Sequence, residues 1–94
     1  MSLIFEWDDS KAEDNLRKHG VSFSEATTIF GDTLARSVAD PLHSDAEGRF
    51  ITMGQSRLHR TLVVVHTYRG EAIRIISARN ATARERKDYE RGKG

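Results

Sequence analysis

The sequence predicts an α+β fold: a four- to five-stranded antiparallel sheet, with two N-terminal helices on one face and a charged C-terminal helix. Two observations support this prediction. In three places a hydroxyl residue is followed three positions later by glutamate, a signature of helix starts; the pairs are Ser10 with Glu13, Ser22 with Glu25, and Thr82 with Glu85. Between the second and third pair the hydrophobic spacing is typical of strands, and the short connections favour antiparallel hairpins.

The three predicted helices differ in the apolar surface that they carry. The first covers residues 10–19 and ends before Gly20, a residue suited to the left-handed conformation that terminates helices. The second covers residues 23–30 and places its apolar side chains on one side. The third, over residues 83–91, is polar except for Tyr89 and therefore lacks a stripe that would face a core.

Five segments are predicted as strands, because β-branched and aromatic residues alternate with polar ones and turn residues separate the segments. These strands cover residues 3–7, 33–39, 50–55, 60–68 and 71–79, with turns at 56–59 and 69–70. Consecutive strands joined so closely form a meander. We expect the two more apolar helices to cover one face of this sheet.

Length and composition indicate a single domain over residues 1–94, without repeats or low-complexity segments. The chain has no cysteine, which excludes a disulfide framework, a thiolate zinc site and a cysteine nucleophile. Residues 1–7 lack the basic and apolar parts of a secretory leader, and no apolar run is long enough to span a membrane. We therefore expect a cytoplasmic protein without membrane contact.

The net charge of +1 conceals a difference between the two halves of the chain. Residues 1–50 carry ten acidic and five basic residues, whereas residues 51–94 carry ten basic residues, eight of them arginine, and four acidic ones. Arginine makes planar, two-pronged contacts with phosphate. The second half therefore suits a nucleic-acid backbone or an acidic protein partner, although a mixed-charge surface explains the composition equally well.

One candidate site lies where the last predicted strand passes into the third helix. Arg79 ends the strand, and the helix carries Glu85, Arg86 and Tyr89 within one turn of each other. Cleavage of RNA by its own 2′-hydroxyl needs a base, an acid and cations beside the phosphorus, and these residue types can supply all three. A simpler interpretation stays open, in which Glu85 only caps the helix and Arg86 is a solvated charge.

A second candidate lies in the loop of residues 40–49, where His43, Asp45 and Glu47 occupy every second position. This spacing could hold a hard cation, or His43 could act as a general base oriented by Glu47. An exposed loop histidine without function is the third alternative. Lys18 and His19 end the first helix, where the helix dipole favours positive charge, and a second role at RNA is possible.

The sequence as a whole resembles the BrnT family of toxins over about residues 4–90. The first half carries the resemblance in Phe5-Glu6-Trp7-Asp8, Lys11-Ala12, Asn15, Lys18 to Phe23, Glu25-Ala26, Asp40-Pro41, His43-Ser44, Glu47, Arg49 and Gly54. The second half carries it in Arg74 to Arg79, Ala81-Thr82, Glu85-Arg86 and Tyr89. Several of these blocks are unusual enough to be specific.

The resemblance implies a RelE-like fold and a ribonuclease toxin of a type II toxin–antitoxin system. Its implied partners are RNA and a BrnA-like antitoxin with a ribbon-helix-helix domain, through which alone the toxin would meet DNA. We expect metal-independent endoribonuclease chemistry without a cofactor; a non-catalytic regulator that binds only its partner is the alternative. The expected catalytic residues are Glu85, Arg86, Tyr89, Arg79 and His43, and the expected RNA-binding residues are Arg49, Arg74, Lys18 and His19.

Overall fold

A computed structural model of the chain describes residues 2–43 and 48–93, and in this part of the chain it contains five strands and three helices. The helices are α1 (Asp9–His19), α2 (Phe23–Thr27) and α3 (Ala83–Lys93). The strands are β1 (Ile4–Glu6), β2 (Arg36–Ala39), β3 (Phe50–Gln55), β4 (Thr61–Arg69) and β5 (Ala72–Asn80). A 3₁₀ turn over Thr28–Gly31 continues α2, and a second one covers Pro41–His43.

The five strands form one mixed sheet in the order β1-β5-β4-β3-β2. Strands β2 to β5 pair antiparallel as a meander, but β1 lies parallel to β5, with Phe5 opposite Ile73. The prediction of an entirely antiparallel sheet was therefore wrong at β1. Short turns enforce antiparallel pairing only between consecutive strands, and most of the chain separates β1 from β5, so either direction is available to β1.

The core lies on one face of this sheet, where α1 and α2 pack. The buried apolar residues of the sheet are Leu62, Val64, Ile73, Ile75 and Ala78, and the helical side contributes Val21, Phe23, Ala26 and Ile29. Phe5 and Trp7 pack against this cluster at its edge. Gly54 in β3 passes beneath the 3₁₀ turn, where an added Cβ would lie 3.0 Å from that of Ala35 and 3.2 Å from that of Ile29.

The helix ends agree only in part with the predicted capping boxes. Helix α1 is capped by Asp8, whose carboxylate accepts from the backbone N–H groups of Ser10 and Lys11, and not by Ser10 as predicted. The prediction missed this because Asp8, two residues before Ser10, is an equally good cap. Gly20 terminates α1 in the left-handed conformation, with a φ of 66°. At α3 the full box forms between Thr82 and Glu85.

Ser22 caps α2 as predicted, but Glu25 does not return to the cap. Ser22 Oγ accepts from the backbone N–H of Glu25 at 3.0 Å. The buried Glu25 carboxylate instead accepts from Arg60 Nε at 2.9 Å and from Ser56 Oγ at 2.7 Å. These bonds, Arg60 above all, hold the pKa of Glu25 below its usual value. A charged pair therefore fastens the β3–β4 turn to α2.

Helix α3 lacks an apolar stripe, as predicted, and Tyr89 is its principal anchor. Tyr89 is 3% exposed, and its hydroxyl donates to Asp32 Oδ2, which also accepts from the backbone N–H of Gln55 at 2.8 Å. The helix is thus tied to the end of β3 through one aromatic side chain. Within residues 2–43 and 48–93, no helix has the length and apolar character needed to cross a membrane.

Candidate functional site

The face of the sheet opposite α1 and α2, here called the open face, combines apolar and cationic side chains. Register places Arg36 opposite Met53, Met53 opposite Val63, and Val63 opposite Arg79, all on this face because residues paired across strands point to the same side. A cavity of about 210 Å³ lies here, lined by Arg36, Val38, Ile51, Met53, Val63 and Glu85. The open face therefore offers an apolar groove with charged groups at its margin.

Arg79 and Glu85 form a bidentate ion pair at one end of this groove. Arg79 Nη1 and Nη2 donate to Glu85 Oε1 and Oε2 at 2.8 and 2.9 Å, and Nη1 also donates to the carbonyl of Asn80 at 3.2 Å. Because a guanidinium has five N–H donors, two of them have no hydrogen-bond partner among the described residues. The Arg79 side chain is 41% exposed, so the guanidinium lies at the surface of the sheet.

The electrostatics of Glu85 suit a fixed anion better than a proton acceptor. Its pKa falls from 4.5 to about 2, mainly because of the hydrogen bonds from Arg79 and then because of the bond from the Thr82 backbone N–H. Glu85 is therefore ionised throughout the neutral range but has low affinity for a proton. A general base works best with a pKa near the working pH. In this geometry Glu85 orients Arg79 and caps α3.

The other two predicted residues of α3, Arg86 and Tyr89, differ in exposure: Arg86 is exposed and Tyr89 is buried. Arg86 directly follows Glu85 in α3 and has no ion-pair partner in the described part of the chain. The Tyr89 hydroxyl faces Asp32, and burial, followed by that hydrogen bond, raises the pKa of Tyr89 to about 12. The structure thus brings Arg79 and Glu85 into contact at the surface, with Arg86 as the next residue of α3, whereas Tyr89 is a buried anchor.

Arg74 and Arg49 lie toward the other end of the sheet. Arg74 pairs with Thr67 in the register and donates from Nη1 to Glu6 Oε2 of β1 at 2.8 Å, which partly neutralises it. Arg49 directly precedes β3 and is partly buried, and its carbonyl accepts from the backbone N–H of Asp40 at 2.9 Å. Neither arginine is in direct contact with the Arg79–Glu85 pair. Any ligand that touches all three arginines must extend along the sheet.

The predicted loop site falls largely outside the described residues. The backbone of His43 ends the second 3₁₀ turn, but its side chain is not among the described groups, and Asp45 and Glu47 also lie outside the described ranges. Over residues 2–43 and 48–93, no group of three His, Asp or Glu side chains comes together as a metal site. The roles of His43 as a base and of this loop in cation binding stay predictions.

Lys18 and His19 are exposed at the end of α1, as the helix-dipole argument predicts. They line a second cavity, between α1 and β5, of about 220 Å³. This cavity is separate from the groove of the open face, because none of its lining residues is shared with that groove.

Two features of the site were missed from the sequence. Arg36 lies against Gly92 of α3, where an added methyl group would overlap the guanidinium; its alternation with Val38 could have placed both on one face. Asp32 receives the Tyr89 hydroxyl and the Gln55 backbone, and no local motif signals such a contact between distant residues.

An α+β fold with a partly exposed, oriented arginine and an adjoining apolar groove is suited to bind a polyanion at the arginine and a protein in the groove. A family model described as the ribonuclease toxin BrnT of type II toxin–antitoxin systems matches residues 7–85. The chain therefore belongs to the BrnT family of ribonuclease toxins, as the sequence resemblance indicated. Membership implies an RNA substrate and an antitoxin partner.

A solved structure agrees with this assignment at the level of the fold. The crystal structure of the Brucella abortus ribonuclease toxin BrnT, at 1.1 Å resolution, matches with a TM-score of 0.68 and 23% sequence identity. The match covers 86% of this chain and 99% of the Brucella chain. A comparison with curated protein sequences finds no match.

Proposed function

We propose that the protein is a metal-independent endoribonuclease with a RelE-like fold, neutralised by a BrnA-like antitoxin that carries a DNA-binding ribbon-helix-helix domain. The family supplies the ribonuclease class. In the proposed reaction the 2′-oxygen of one nucleotide attacks the adjacent phosphorus and the 5′-oxygen of the next nucleotide leaves. The products are a 2′,3′-cyclic phosphate, which water opens to a 3′-phosphate, and a free 5′-hydroxyl.

The observation that carries this proposal is the oriented Arg79 guanidinium. Glu85 fixes its plane through two hydrogen bonds, and two further N–H donors remain for a phosphate oxygen. Preorganised donors of this kind stabilise the charge that grows on the phosphorane oxygens. Arg86, exposed one residue after Glu85, supplies a second cation for the same phosphate.

The proton-transfer roles are divided according to pKa and burial. The low pKa of Glu85 favours the role of orienting Arg79 over that of base, and the buried, high-pKa hydroxyl of Tyr89 favours anchoring α3 over acid catalysis. His43 is then the proposed base, and in its protonated form the proposed acid, since a histidine can change charge near neutral pH. Arg49, Arg74, Lys18 and His19 are proposed as contacts to phosphates beyond the one that is cleaved.

The antitoxin is proposed to cover the open face. Val38 is 60% exposed there, in a groove whose other walls are Ile51, Met53 and Val63. Arg36 at the margin of this groove and Arg79 at its end favour a segment with apolar side chains in the groove and acidic ones beside it. Such a segment would cover Arg79 and so block RNA directly.

The alternative function, a regulator that binds its partner without catalysis, is favoured by one observation: within the described residues, the Arg79 region contains no group with a pKa suited to a base. Expression of the chain without its antitoxin separates the two functions. The endoribonuclease arrests growth with rapid loss of RNA, and the Arg79→Gln variant, expressed at the same level, does not. Normal growth with intact RNA at full expression would favour the regulator and contradict our proposal.

A further inference from the structure

The cavity between α1 and β5 is a cationic cleft distinct from the Arg79 region. Its lining side chains come from one side of α1 and from the middle of β5: Lys11, Asp14, Asn15, Lys18, His19, Ile76 and Ser77. Lys11 and Lys18 are seven residues apart, which is about two helical turns, so both project from the same side of α1. Three of the lining groups are thus basic side chains.

This cleft exists because β1 covers only the first part of the β5 edge. Pairing between β1 and β5 ends at Glu6 opposite Arg74. Farther along, the Asn15 amide takes the place of a strand: its Nδ2 donates to the carbonyl of Ala78 at 2.8 Å, and its Oδ1 accepts from the Ala78 N–H at 3.1 Å. Ile76 and Ser77, between these two closures, border the open cleft.

The charge of the cleft is positive despite one carboxylate. Asp14 forms an ion pair with Arg17, which is the residue before Lys18. Neither Lys11 nor Lys18 forms a salt bridge in the described part of the chain, although the charge of Lys11 also helps to lower the pKa of the Asp8 carboxylate. Positive charge at the C-terminal end of α1 stabilises the helix, which accounts for Lys18 and His19. It does not account for Lys11, which lies near the start of the helix.

The position of Ser77 connects this cleft to the Arg79 region. Ser77 pairs with Val65 and Arg79 with Val63, so both side chains lie on the open face, two residues and about 7 Å apart along β5. A polyanion held by Arg79 can therefore continue along β5 and reach the cleft without leaving the surface. A strand of RNA, with one negative charge per nucleotide, has the required chemistry.

We infer that the α1–β5 cleft binds a backbone phosphate of single-stranded RNA, through Lys11 and Lys18, at a nucleotide beside the one held by Arg79. This inference rests on the proposed function. It assigns Lys11 a role that the capping and packing of α1 do not require, and the contact is to the backbone and therefore independent of base identity.

The test measures binding of a short single-stranded RNA whose 2′-hydroxyls are methylated, so that it cannot be cleaved by 2′-attack. Each phosphate contact to a single strand contributes a slope of about −0.7 in log affinity against log salt, or about fivefold in affinity between 1 M and 0.1 M salt. We expect the double variant Lys11→Gln/Lys18→Gln to weaken binding about fivefold at 0.1 M salt and to reduce the slope by about 0.7, and each single variant to produce part of both changes. Arg57→Gln, an exposed arginine in the β3–β4 turn, is the matched control and should change neither value.

A second pair of variants tests the same cleft by removing negative charge. Asp14→Asn should tighten RNA binding, because the carboxylate borders the proposed phosphate position, whereas Asp9→Asn in the first turn of α1 should have less effect. Thermal melting checks that all variants are folded. Equal tightening by the two variants would contradict a specific role of the cleft.

The outcomes separate the cleft from the proposed function. Unchanged affinity and slope in both lysine variants, or loss of antitoxin binding with RNA binding intact, would overturn the cleft as an RNA site while leaving cleavage in place. Weaker binding in both lysine variants without cleavage of unmodified RNA by the wild type would support the cleft and refute the nuclease. Absence of RNA binding by the wild type would overturn both.

Discussion

Replacing Glu85 with glutamine keeps the size of the side chain and removes its charge. In the structure both carboxylate oxygens accept from Arg79, and Oε1 also accepts from the Thr82 backbone N–H at 2.8 Å. A glutamine can keep the bond to Thr82 through its one oxygen. Its NH₂ group then faces Arg79 Nη2, and two donors cannot bond to each other, so the guanidinium turns away.

The loss of stability follows from the pKa of Glu85. A change from 4.5 to about 2 corresponds to about 3 kcal/mol between the two protonation states. Glu85 and Arg79 are 34% and 41% exposed, and screening by water reduces this contribution. We therefore expect Glu85→Gln to lower the free energy of unfolding by about 1 kcal/mol at neutral pH. Since the folded-state pKa is depressed, this contribution is present above pH 4.5 and is lost as the pH falls toward 2.

A double-mutant cycle on RNA cleavage separates orientation from base catalysis. If Glu85 acts by orienting Arg79, then Glu85→Gln slows cleavage in the wild type but has little further effect in an Arg79→Gln background, because the group that it orients is gone. A general base contributes about 10²–10⁴ in rate. If Glu85 were the base, its replacement would cost that factor in both backgrounds, and this result would refute our assignment. Denaturant unfolding of all four proteins is the control for folding.

Four further predictions follow from the described contacts. Arg86→Lys keeps the charge but loses the planar fork, so cleavage should fall at unchanged stability; full activity would make Arg86 a solvated charge. Tyr89→Phe removes the bond to Asp32 and should cost about 1 kcal/mol in unfolding free energy, with cleavage preserved at low temperature; a folded but inactive variant would restore Tyr89 as the acid. Val38→Asp should abolish antitoxin binding measured by calorimetry, with RNA cleavage retained. Burial lowers the pKa of His66 from 6.5 to about 4, so the unfolded chain binds more protons in that window and the unfolding free energy should fall by about 3 kcal/mol from pH 6.5 to 4 on account of His66; a His66→Gln variant should lose this part of the pH dependence and keep only the smaller part that the carboxylates contribute near pH 4.

The elements specified by local patterns could be predicted from the sequence. Strand β3 has the predicted bounds, and the Thr82–Glu85 box begins α3 as expected, because both depend on neighbours within a few residues. The direction of β1 could not be predicted, since it depends on an edge of β5 that only the folded chain presents. The cap of α1 at Asp8 was missed because Ser10, two residues later, also has the sequence pattern of a helix cap.

In the candidate site, too, contacts between residues near in sequence could be predicted, whereas contacts between distant residues could not. Arg79 and Glu85 are six residues apart, and the strand-to-helix turn between them places them together, as the sequence suggested. Helix geometry also brings Tyr89 one turn from Glu85, but the partner that buries its hydroxyl is Asp32, which lies 57 residues away in the chain. Lys11 and Ser77 likewise line one cavity only through the packing of α1 on β5, so this cleft has no signature in the sequence.

The most direct test of the account is to incubate purified, antitoxin-free protein with naked single-stranded RNA in excess EDTA and to map the chemistry of the new ends. We predict cleavage under these conditions, with 2′,3′-cyclic phosphate or 3′-phosphate ends upstream and 5′-hydroxyl ends downstream, and much slower cleavage by Arg79→Gln. Activity that disappears with EDTA and returns with a single divalent cation, or products that carry 5′-phosphates, would contradict the metal-independent mechanism.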